Sequence, residues 1–242
     1  MNNVKEHYEK HLANFYSWMA GDFTKLQVEH QQFLETHKIK PLLTKVALDL
    51  GAGHGLQSVS LAHVGFSVTA IDINIHLLTE LKINGADLKI NTVKDDIRNV
   101  SNYKTLKPEL IICWGDTLTH LENGKEIDLF LKESCEMLPS GGKILLSFRD
   151  YAQKLNGDER FIPVKSDENR ILTCFLEYLP TQVRVTDLLH EKTKNGWQQK
   201  ISSYYKFRIS QDEVIDMLLR NKMKIEFCGK EKGMIAIIGV KN

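Results

Sequence analysis

The 242-residue sequence has almost no excess of charge of either sign: 32 Lys and Arg residues stand against 31 Asp and Glu residues, a net charge of +1. Proteins that bind nucleic acid or anionic membranes usually carry a basic patch, so the composition supports neither partner. The chain also has no run of about 18 apolar residues, and its first residues, MNNVKEHYEKHLANFYSW, contain no apolar signal core. We therefore expect a soluble, cytoplasmic protein.

Cysteine is scarce and scattered, which argues against two further classes of protein. The four cysteines are Cys113, Cys135, Cys174 and Cys228, and they form no C-x-x-C pair. A disulfide framework or a structural zinc site needs closer or paired spacings. We therefore expect reduced thiols and no bound metal.

Two histidines near the start of the chain, His7 and His11, stand one helical turn apart, a spacing at which two side chains can share a metal ion. The metalloprotease motif requires Glu directly after the first histidine, and here Tyr8 occupies that position. We therefore expect both histidines to lie on an exposed helix face rather than in a metal site.

Residues 1–40 are predicted to be helical. Apolar side chains such as Tyr8, Leu12 and Phe15 recur at helical spacing between residues 4 and 20, which predicts one amphipathic helix. A second helical stretch follows, and Pro41 ends it or lies just beyond its end.

The rest of the chain alternates between two patterns. From Val46 to Arg149, short apolar runs alternate with helical stretches, and runs that are apolar on both faces are typical of parallel strands covered by helices. Residues 151–207 instead contain long β-rich segments separated by turns, which predicts an antiparallel insert. A last helix and two strands return to the first pattern. We predict an α/β core over residues 41–150 and 208–242, with helices on both faces of a seven-stranded, mostly parallel sheet.

The first strand runs directly into three glycines, in the sequence VALDLGAGHG. A dinucleotide fingerprint requires a third glycine three positions after the second, and Leu56 stands there instead. Asp49, two residues before the first glycine, disfavours a pyrophosphate at this strand end. A cofactor with an ammonium group, a sulfonium and no phosphate fits better, and S-adenosylmethionine has these properties.

This stretch resembles the first motif of class I S-adenosylmethionine-dependent methyltransferases. Asp72, in VTAIDIN, matches the acidic residue at the end of their second strand, and VKDDI resembles their third motif. The resemblance implies a Rossmann-like fold, two ribose hydrogen bonds to Asp72, an adenine contact at Asp96 and a backbone contact at Ile97. The implied cofactor-binding residues are Asp49, Gly51, Ala52, Gly53, Gly55, Asp72, Ile73, Asp96, Ile97 and Trp114.

The fourth and fifth strand ends, IICWGDTLTHL and LLSFRDYAQKL, resemble the corresponding segments of glycine and sarcosine N-methyltransferases. By that likeness Arg149 clamps the carboxylate of an amino-acid substrate, because a guanidinium forks onto a carboxylate. Asp116 and Asp150 replace two asparagines of the family's pattern. These two carboxylates could instead attract a cationic amine.

Methyl transfer is an in-line displacement at a sulfonium, so positioning in a dry pocket supplies most of the catalysis. His120 is the predicted general base, since its ordinary pKa lies near neutrality. Tyr8 and Tyr16 are second choices, because an N-terminal helix commonly lids the pocket in small-molecule methyltransferases. Of the adjacent Tyr204 and Tyr205, at most one faces the pocket.

The sequence thus predicts a methyltransferase that acts on a small molecule, possibly through an amine or amino-acid nitrogen. The N-terminal helices would form a lid, and the insert would form a substrate wall. Two alternatives stay open: a methyltransferase that modifies RNA or protein, and a non-catalytic module that binds S-adenosylmethionine for regulation. We expect a monomer or a homodimer, with no nucleic-acid or membrane partner.

Overall fold

The computed structural model describes residues 4–242. This part of the chain contains seven α-helices and eleven β-strands. The helices are α1 (Val4–Lys10), α2 (Tyr16–Ala20), α3 (Phe23–Thr36), α4 (Leu56–His63), α5 (Ile75–Asn84), α6 (Gly124–Met137) and α7 (Gln211–Arg220). Four 3₁₀ segments, Leu12–Asn14, Ile97–Leu106, Thr117–His120 and Gly157–Arg160, join them. Within residues 4–242, no helix has both the length and the apolar character needed to span a bilayer.

The strands divide into two sheets. They are β1 (Val46–Leu50), β2 (Ser67–Asp72), β3 (Ile90–Lys94), β4 (Leu110–Cys113), β5 (Lys143–Phe148), β6 (Phe161–Ser166), β7 (Arg170–Tyr178), β8 (Gln182–Thr193), β9 (Gly196–Phe207), β10 (Met223–Glu231) and β11 (Met234–Lys241). The larger sheet has the order β10-β11-β5-β4-β1-β2-β3. The smaller sheet has the order β6-β7-β8-β9 and is antiparallel throughout.

The larger sheet confirms the predicted α/β architecture. Strands β1 to β5 pair in parallel, whereas β11 runs antiparallel to both β5 and β10. β4 is buried along its whole length, and most of β1, β2 and β5 is buried as well, as expected for strands that helices cover on both faces. Because parallel strands end at the same edge, the loops after β1, β2 and β4 meet there.

Local sequence signals set several helix boundaries. Asn74 starts α5 by accepting hydrogen bonds from the backbone N–H groups of His76 and Leu77, at 2.9 and 3.1 Å, and Gly85 caps the other end. Both boundaries are the predicted ones. Ser210 starts α7 with a capping box, which confirms a helix directly after the insert.

The N-terminal region differs from the single helix that the sequence predicts. It consists of α1, a 3₁₀ turn and α2, with non-helical backbone angles at His11 and Phe15. Leu12 and Phe15 are buried in a cluster with Leu172 and Leu189 of the smaller sheet. Helical periodicity does not show which element each apolar side chain packs against, so tertiary contacts decide where this helix breaks.

The smaller sheet confirms the predicted antiparallel insert. β8 and β9 form a long hairpin that turns at Gly196, whose φ of 99° favours glycine. One hydrophobic cluster joins Val4 of α1 to Val183 of β8 and Tyr204 of β9. The insert therefore packs against the N-terminal helices.

Candidate functional site

A cavity of about 320 Å³ lies at the carboxyl ends of β1, β2 and β4, the edge where open α/β sheets bind ligands. Side chains from α1, α2 and α3 complete its walls. The predicted site residues in its lining are Tyr16, Gly51, Ala52, Gly53, Asp72, Ile73, Asp96, Ile97, Trp114 and His120. Three predicted residues lie outside the lining: Asp49, Gly55 and Arg149.

The glycine loop after β1 requires its glycines. Gly51, Gly53 and Gly55 have φ values of 81°, 53° and 96°, which side chains other than glycine rarely adopt. A Cβ on Gly51 would overlap the side chain of Thr117, and one on Gly55 would lie 2.5 Å from the Cγ of Leu81. The loop therefore presents bare backbone to the cavity, and Gly55 closes the turn into α4.

Asp72, at the end of β2, holds this loop in place. Its two carboxylate oxygens accept hydrogen bonds from the backbone N–H groups of Gly53 and Asn74, both at 2.8 Å. Burial raises the pKa of the Asp72 carboxyl, and these backbone hydrogen bonds partly oppose that rise. Each carboxylate oxygen can accept a second hydrogen bond. Asp72 can therefore bond these two N–H groups and the predicted ribose hydroxyls at the same time.

Asp49 lies beneath the glycine loop, outside the cavity lining. Its carboxylate accepts a hydrogen bond from the Ser58 hydroxyl at 2.6 Å. Burial raises the pKa of Asp49 to about 7, and the nearby Asp72 carboxylate acts in the same direction. A positive charge near this loop would stabilise the ionised forms of both buried acids.

The loop after β3 supplies Asp96 and Ile97 to the lining. Asp96 caps the 3₁₀ segment that starts at Ile97 and forms an ion pair with Arg98, at 2.7 Å between Nη2 and Oδ2. Burial acts to raise the pKa of Asp96, but the hydrogen bonds from Arg98 outweigh it and keep the pKa below the ordinary value. The predicted adenine contact at Asp96 therefore shares its carboxylate with Arg98, a lining residue that the sequence analysis did not identify.

Trp114 follows β4 and lies against α3. Its ring centroid is 5.1 Å from that of Phe33 and 5.7 Å from that of His30, and all three residues line the cavity. Sequence analysis did not identify His30 or Phe33 as site residues. Helical spacing was a signal that could have identified them, because His30 stands one turn before Phe33 on the buried face of α3.

His120, Tyr8 and Tyr16 lie together in the lining. The ring centroid of Tyr8 is 5.8 Å from that of His120 and 6.4 Å from that of Tyr16. Burial, reinforced by the Lys206 ammonium, lowers the pKa of His120 well below its ordinary value, so the imidazole is neutral. Burial raises the pKa of Tyr16 to about 12. Tyr204 is buried behind His120 and does not line the cavity.

The structure does not bring Arg149 into the cavity. Its side chain is exposed, while its backbone N–H donates to the Asp116 carboxylate at 2.9 Å. Asp116 is buried, forms an ion pair with Lys206 of β9 and accepts a hydrogen bond from the Tyr151 hydroxyl at 2.8 Å. The hypothesis that Asp116 attracts a cationic amine is wrong, because Lys206 already neutralises it.

The expectation of an exposed face for His7 and His11 is also wrong. Their exposed fractions are 2% and 8%. His7 Nδ1 lies 2.8 Å from the Ser202 hydroxyl, and its Nε2 lies 3.2 Å from Asp187 Oδ2. His7 therefore links α1 to the insert. No cluster of metal-ligating side chains occurs among the residues that the structure describes.

Comparison with known proteins agrees with this geometry. Residues 47–142 match a family model described as a methyltransferase domain. Residues 47–142 are thus similar to a methyltransferase domain, and the chain as a whole shares the fold of a solved S-adenosylmethionine-dependent methyltransferase.

One curated relative is a glycine/sarcosine N-methyltransferase from Aphanothece halophytica, 29% identical over 125 residues, which cover 51% of this chain and 46% of the relative. The chain thus spans about half the length of the relatives it matches, and the predicted resemblance is confirmed over that part. A methyltransferase from Clostridium acetobutylicum superposes with a TM-score of 0.73 at 16% identity, covering 99% of this chain and 98% of the other. An amino pentose methyltransferase from Micromonospora echinaspora, solved with S-adenosylmethionine bound, superposes with a TM-score of 0.71 at 12% identity over 93% and 94% of the two chains.

Proposed function

We propose that this protein transfers a methyl group from S-adenosylmethionine to a small-molecule acceptor. The observation that carries the proposal is the cradle of glycine backbone and buried Asp72 that opens into a cavity closed by the N-terminal helices. The cofactor supplies an electrophilic methyl group on a sulfonium. The chain supplies binding, orientation and the exclusion of water.

Each part of the cradle has a role in this proposal. Asp72 would accept hydrogen bonds from the ribose hydroxyls, and the hydrophobic side chains of Ile73 and Ile97 would enclose the base. The raised pKa of Asp49 indicates that a positive charge above the loop would favour its ionised form. These residues fit a cofactor that carries positive charge and no phosphate.

His120 is the proposed general base. It lines the cavity and is neutral because burial lowers its pKa, so one ring nitrogen carries a lone pair, although the same shift weakens the imidazole as a base. Tyr8 and Tyr16 would orient the acceptor rather than deprotonate it, because burial raises the pKa of both phenols.

A nitrogen acceptor is the favoured class. The relative from Aphanothece halophytica is named for N-methylation of glycine and sarcosine, and the structural neighbour from Micromonospora echinaspora for an amino pentose. The geometry does not favour an amino-acid carboxylate held by Arg149, since that side chain is exposed and outside the cavity. We therefore propose that the methyl acceptor is an amine and that Arg149 does not contribute to its recognition.

Asp72 provides the direct test. Replacing it with Ala (Asp72→Ala) removes the charge-assisted hydrogen bonds to the ribose, each worth about 1.5–3 kcal/mol, so affinity for S-adenosylhomocysteine should fall by at least about tenfold. Asp72→Asn is the matched control, because it retains an acceptor oxygen for one of the two backbone N–H groups, of Gly53 and Asn74, that bond Asp72, and it should bind with intermediate affinity. Isothermal titration calorimetry measures both variants, and unchanged affinity in both contradicts the cofactor assignment.

Turnover separates an enzyme from a regulatory module. Purified protein with S-adenosylmethionine labelled in the methyl group should transfer the label to small amines and release unlabelled S-adenosylhomocysteine, and should not label RNA or unfolded protein. Cofactor binding without turnover of any amine would instead favour the non-catalytic module, and turnover on RNA or protein would favour the macromolecular alternative.

A further inference from the structure

His30 is a buried histidine in the cavity wall that no step of the proposed function uses. It lies in the middle of α3, and 6% of the residue is exposed. No residue in the part of the chain that the structure describes forms a hydrogen bond with either of its ring nitrogens. It nevertheless lines the cavity beside Trp114.

Such a side chain is costly in a purely structural role. A buried polar group without a hydrogen-bond partner loses its hydration and gains nothing in return. A phenylalanine or leucine would fill the same position between Phe33 and Trp114 without that cost. A molecule that enters the cavity and offers a hydrogen-bond donor or acceptor would satisfy the imidazole, as ligands do for polar groups in binding pockets.

The imidazole is uncharged under physiological conditions. Burial lowers the pKa of His30 to about 4, and the Lys232 ammonium acts in the same direction. Lys232 itself forms an ion pair with Glu29, so these two charges compensate each other at the rim. A neutral imidazole has one donor and one acceptor nitrogen and does not select for an anion.

The surroundings of His30 are apolar and lie on the acceptor side of the cavity. Phe33 stacks on the imidazole with a centroid distance of 6.2 Å, Trp114 meets it edge-on at 5.7 Å, and Met234 of β11 completes the wall. In the sheet order, β4 and β11 lie on one side of β1, and Asp72 at the end of β2 lies on the other. The wall formed by Trp114 and Met234 beside His30 therefore lies on the side of β1 away from Asp72.

We propose that His30 binds the methyl acceptor, and that the acceptor is a compact, largely apolar amine that presents an uncharged N–H or O–H group to the imidazole. This inference rests on the proposed function and narrows its acceptor class. It assigns Phe33 and Met234 to the apolar body of the acceptor, and it places Trp114, an expected cofactor contact, at the boundary between acceptor and cofactor.

Phenol and toluene are suitable probes, because they share the same ring and differ only in that phenol has a hydroxyl where toluene has a methyl group. In the complex with S-adenosylhomocysteine, wild-type protein should bind phenol about tenfold more tightly than toluene, since toluene leaves the imidazole unsatisfied. His30→Phe should lose this preference and still bind toluene, whereas His30→Gln should retain part of it. Isothermal titration measures all three proteins, and affinity for S-adenosylhomocysteine should be the same in each.

The outcomes separate this inference from the proposed function. If wild-type protein does not bind S-adenosylhomocysteine, the proposed function fails. If it binds but shows no preference for phenol, or if the preference survives in His30→Phe, the role of His30 is wrong. Lower affinity of both variants for S-adenosylhomocysteine would assign His30 to the cofactor and also overturn the inference.

A measurement on the wild-type protein covers the case in which the variants do not fold. Phenol should shift the ¹⁵N resonances of the His30 imidazole in histidine-labelled protein, because a new hydrogen bond changes the environment of a ring nitrogen. Toluene at equal occupancy should shift them much less. Equal shifts with both probes would contradict a hydrogen bond to His30.

Discussion

The two sides of the cavity are built in different ways. The cofactor side consists of three loops within residues 49–97, and its main features are backbone conformations and the carboxylate of Asp72. The acceptor side combines α1, α3, the end of β4 and the start of β11, which are far apart in the sequence. Short motifs encode the first side, and tertiary packing creates the second, so the cofactor is easier to infer from the sequence than the acceptor.

The buried pair of Asp116 and Lys206 offers the strongest way to separate the two sides, because it joins the end of β4 to the insert. Lys206→Met leaves Asp116 buried without a counter-charge and should lower the free energy of unfolding by about 3–5 kcal/mol, measured by urea denaturation. Lys200→Met is the matched control on the same strand. Its ion pair with Glu191 is exposed and should contribute less than about 1 kcal/mol.

The ligand affinity of the Lys206 variant then tests whether the cofactor side is independent. At low denaturant, where Lys206→Met is folded, affinity for S-adenosylhomocysteine should equal that of wild type, because Lys206 does not line the cavity. Equal loss of stability in the Lys200 and Lys206 variants would show that the buried pair has no special role.

The titration of Asp49 should make stability depend on pH. Its folded-state pKa of about 7 exceeds the ordinary value of 3.8, so folding favours the protonated form, and the free energy of unfolding should fall as pH rises from about 4 to about 7. The difference between these pKa values corresponds to at most ~4 kcal/mol. Asp49→Asn should remove this part of the pH dependence, as chemical denaturation at several pH values would show.

This prediction has a control at Asp87, and the Asp49 substitution has a second expected effect, on cofactor binding. Asp87 is exposed, so Asp87→Asn should leave the pH dependence of stability as in wild type. Asp49→Asn should also weaken the binding of S-adenosylmethionine, since it removes a negative charge beneath the loop. A variant with the same slope of stability against pH as wild type would show that Asp49 does not titrate in this range.

Local patterns explain how much of the fold was predictable. Runs that are apolar on both faces identified the parallel strands, and Asn74 and Gly85 marked the ends of α5, because caps and strand burial depend on neighbouring residues. The break between α1 and α2 was not predictable in this way. It depends on Leu12 and Phe15 packing against strands more than 150 residues later.

The same distinction applies to the candidate site. Gly51, Gly53 and Asp72 line the cavity as the motifs predict, and their contacts with a cofactor stay a prediction. Arg149 shows the limit, because strand position alone does not determine whether a side chain points into a cavity or to solvent. Asp116 was misjudged for a related reason, since its partner Lys206 stands 90 residues away.

Substitutions in the glycine loop give the smallest of these effects. They test why the cofactor side can be inferred from the sequence. Gly51→Ala should lower the free energy of unfolding by about 2–3 kcal/mol and weaken S-adenosylhomocysteine binding, because it combines a strained φ with overlap against Thr117. Gly141→Ala is the control: its φ is 79°, but no heavy atom lies within 4 Å of the added Cβ, so only about 1 kcal/mol should be lost and binding should persist. Equal losses of stability in urea denaturation would mean that backbone strain alone, and not the close approach of Thr117, requires glycine at this position.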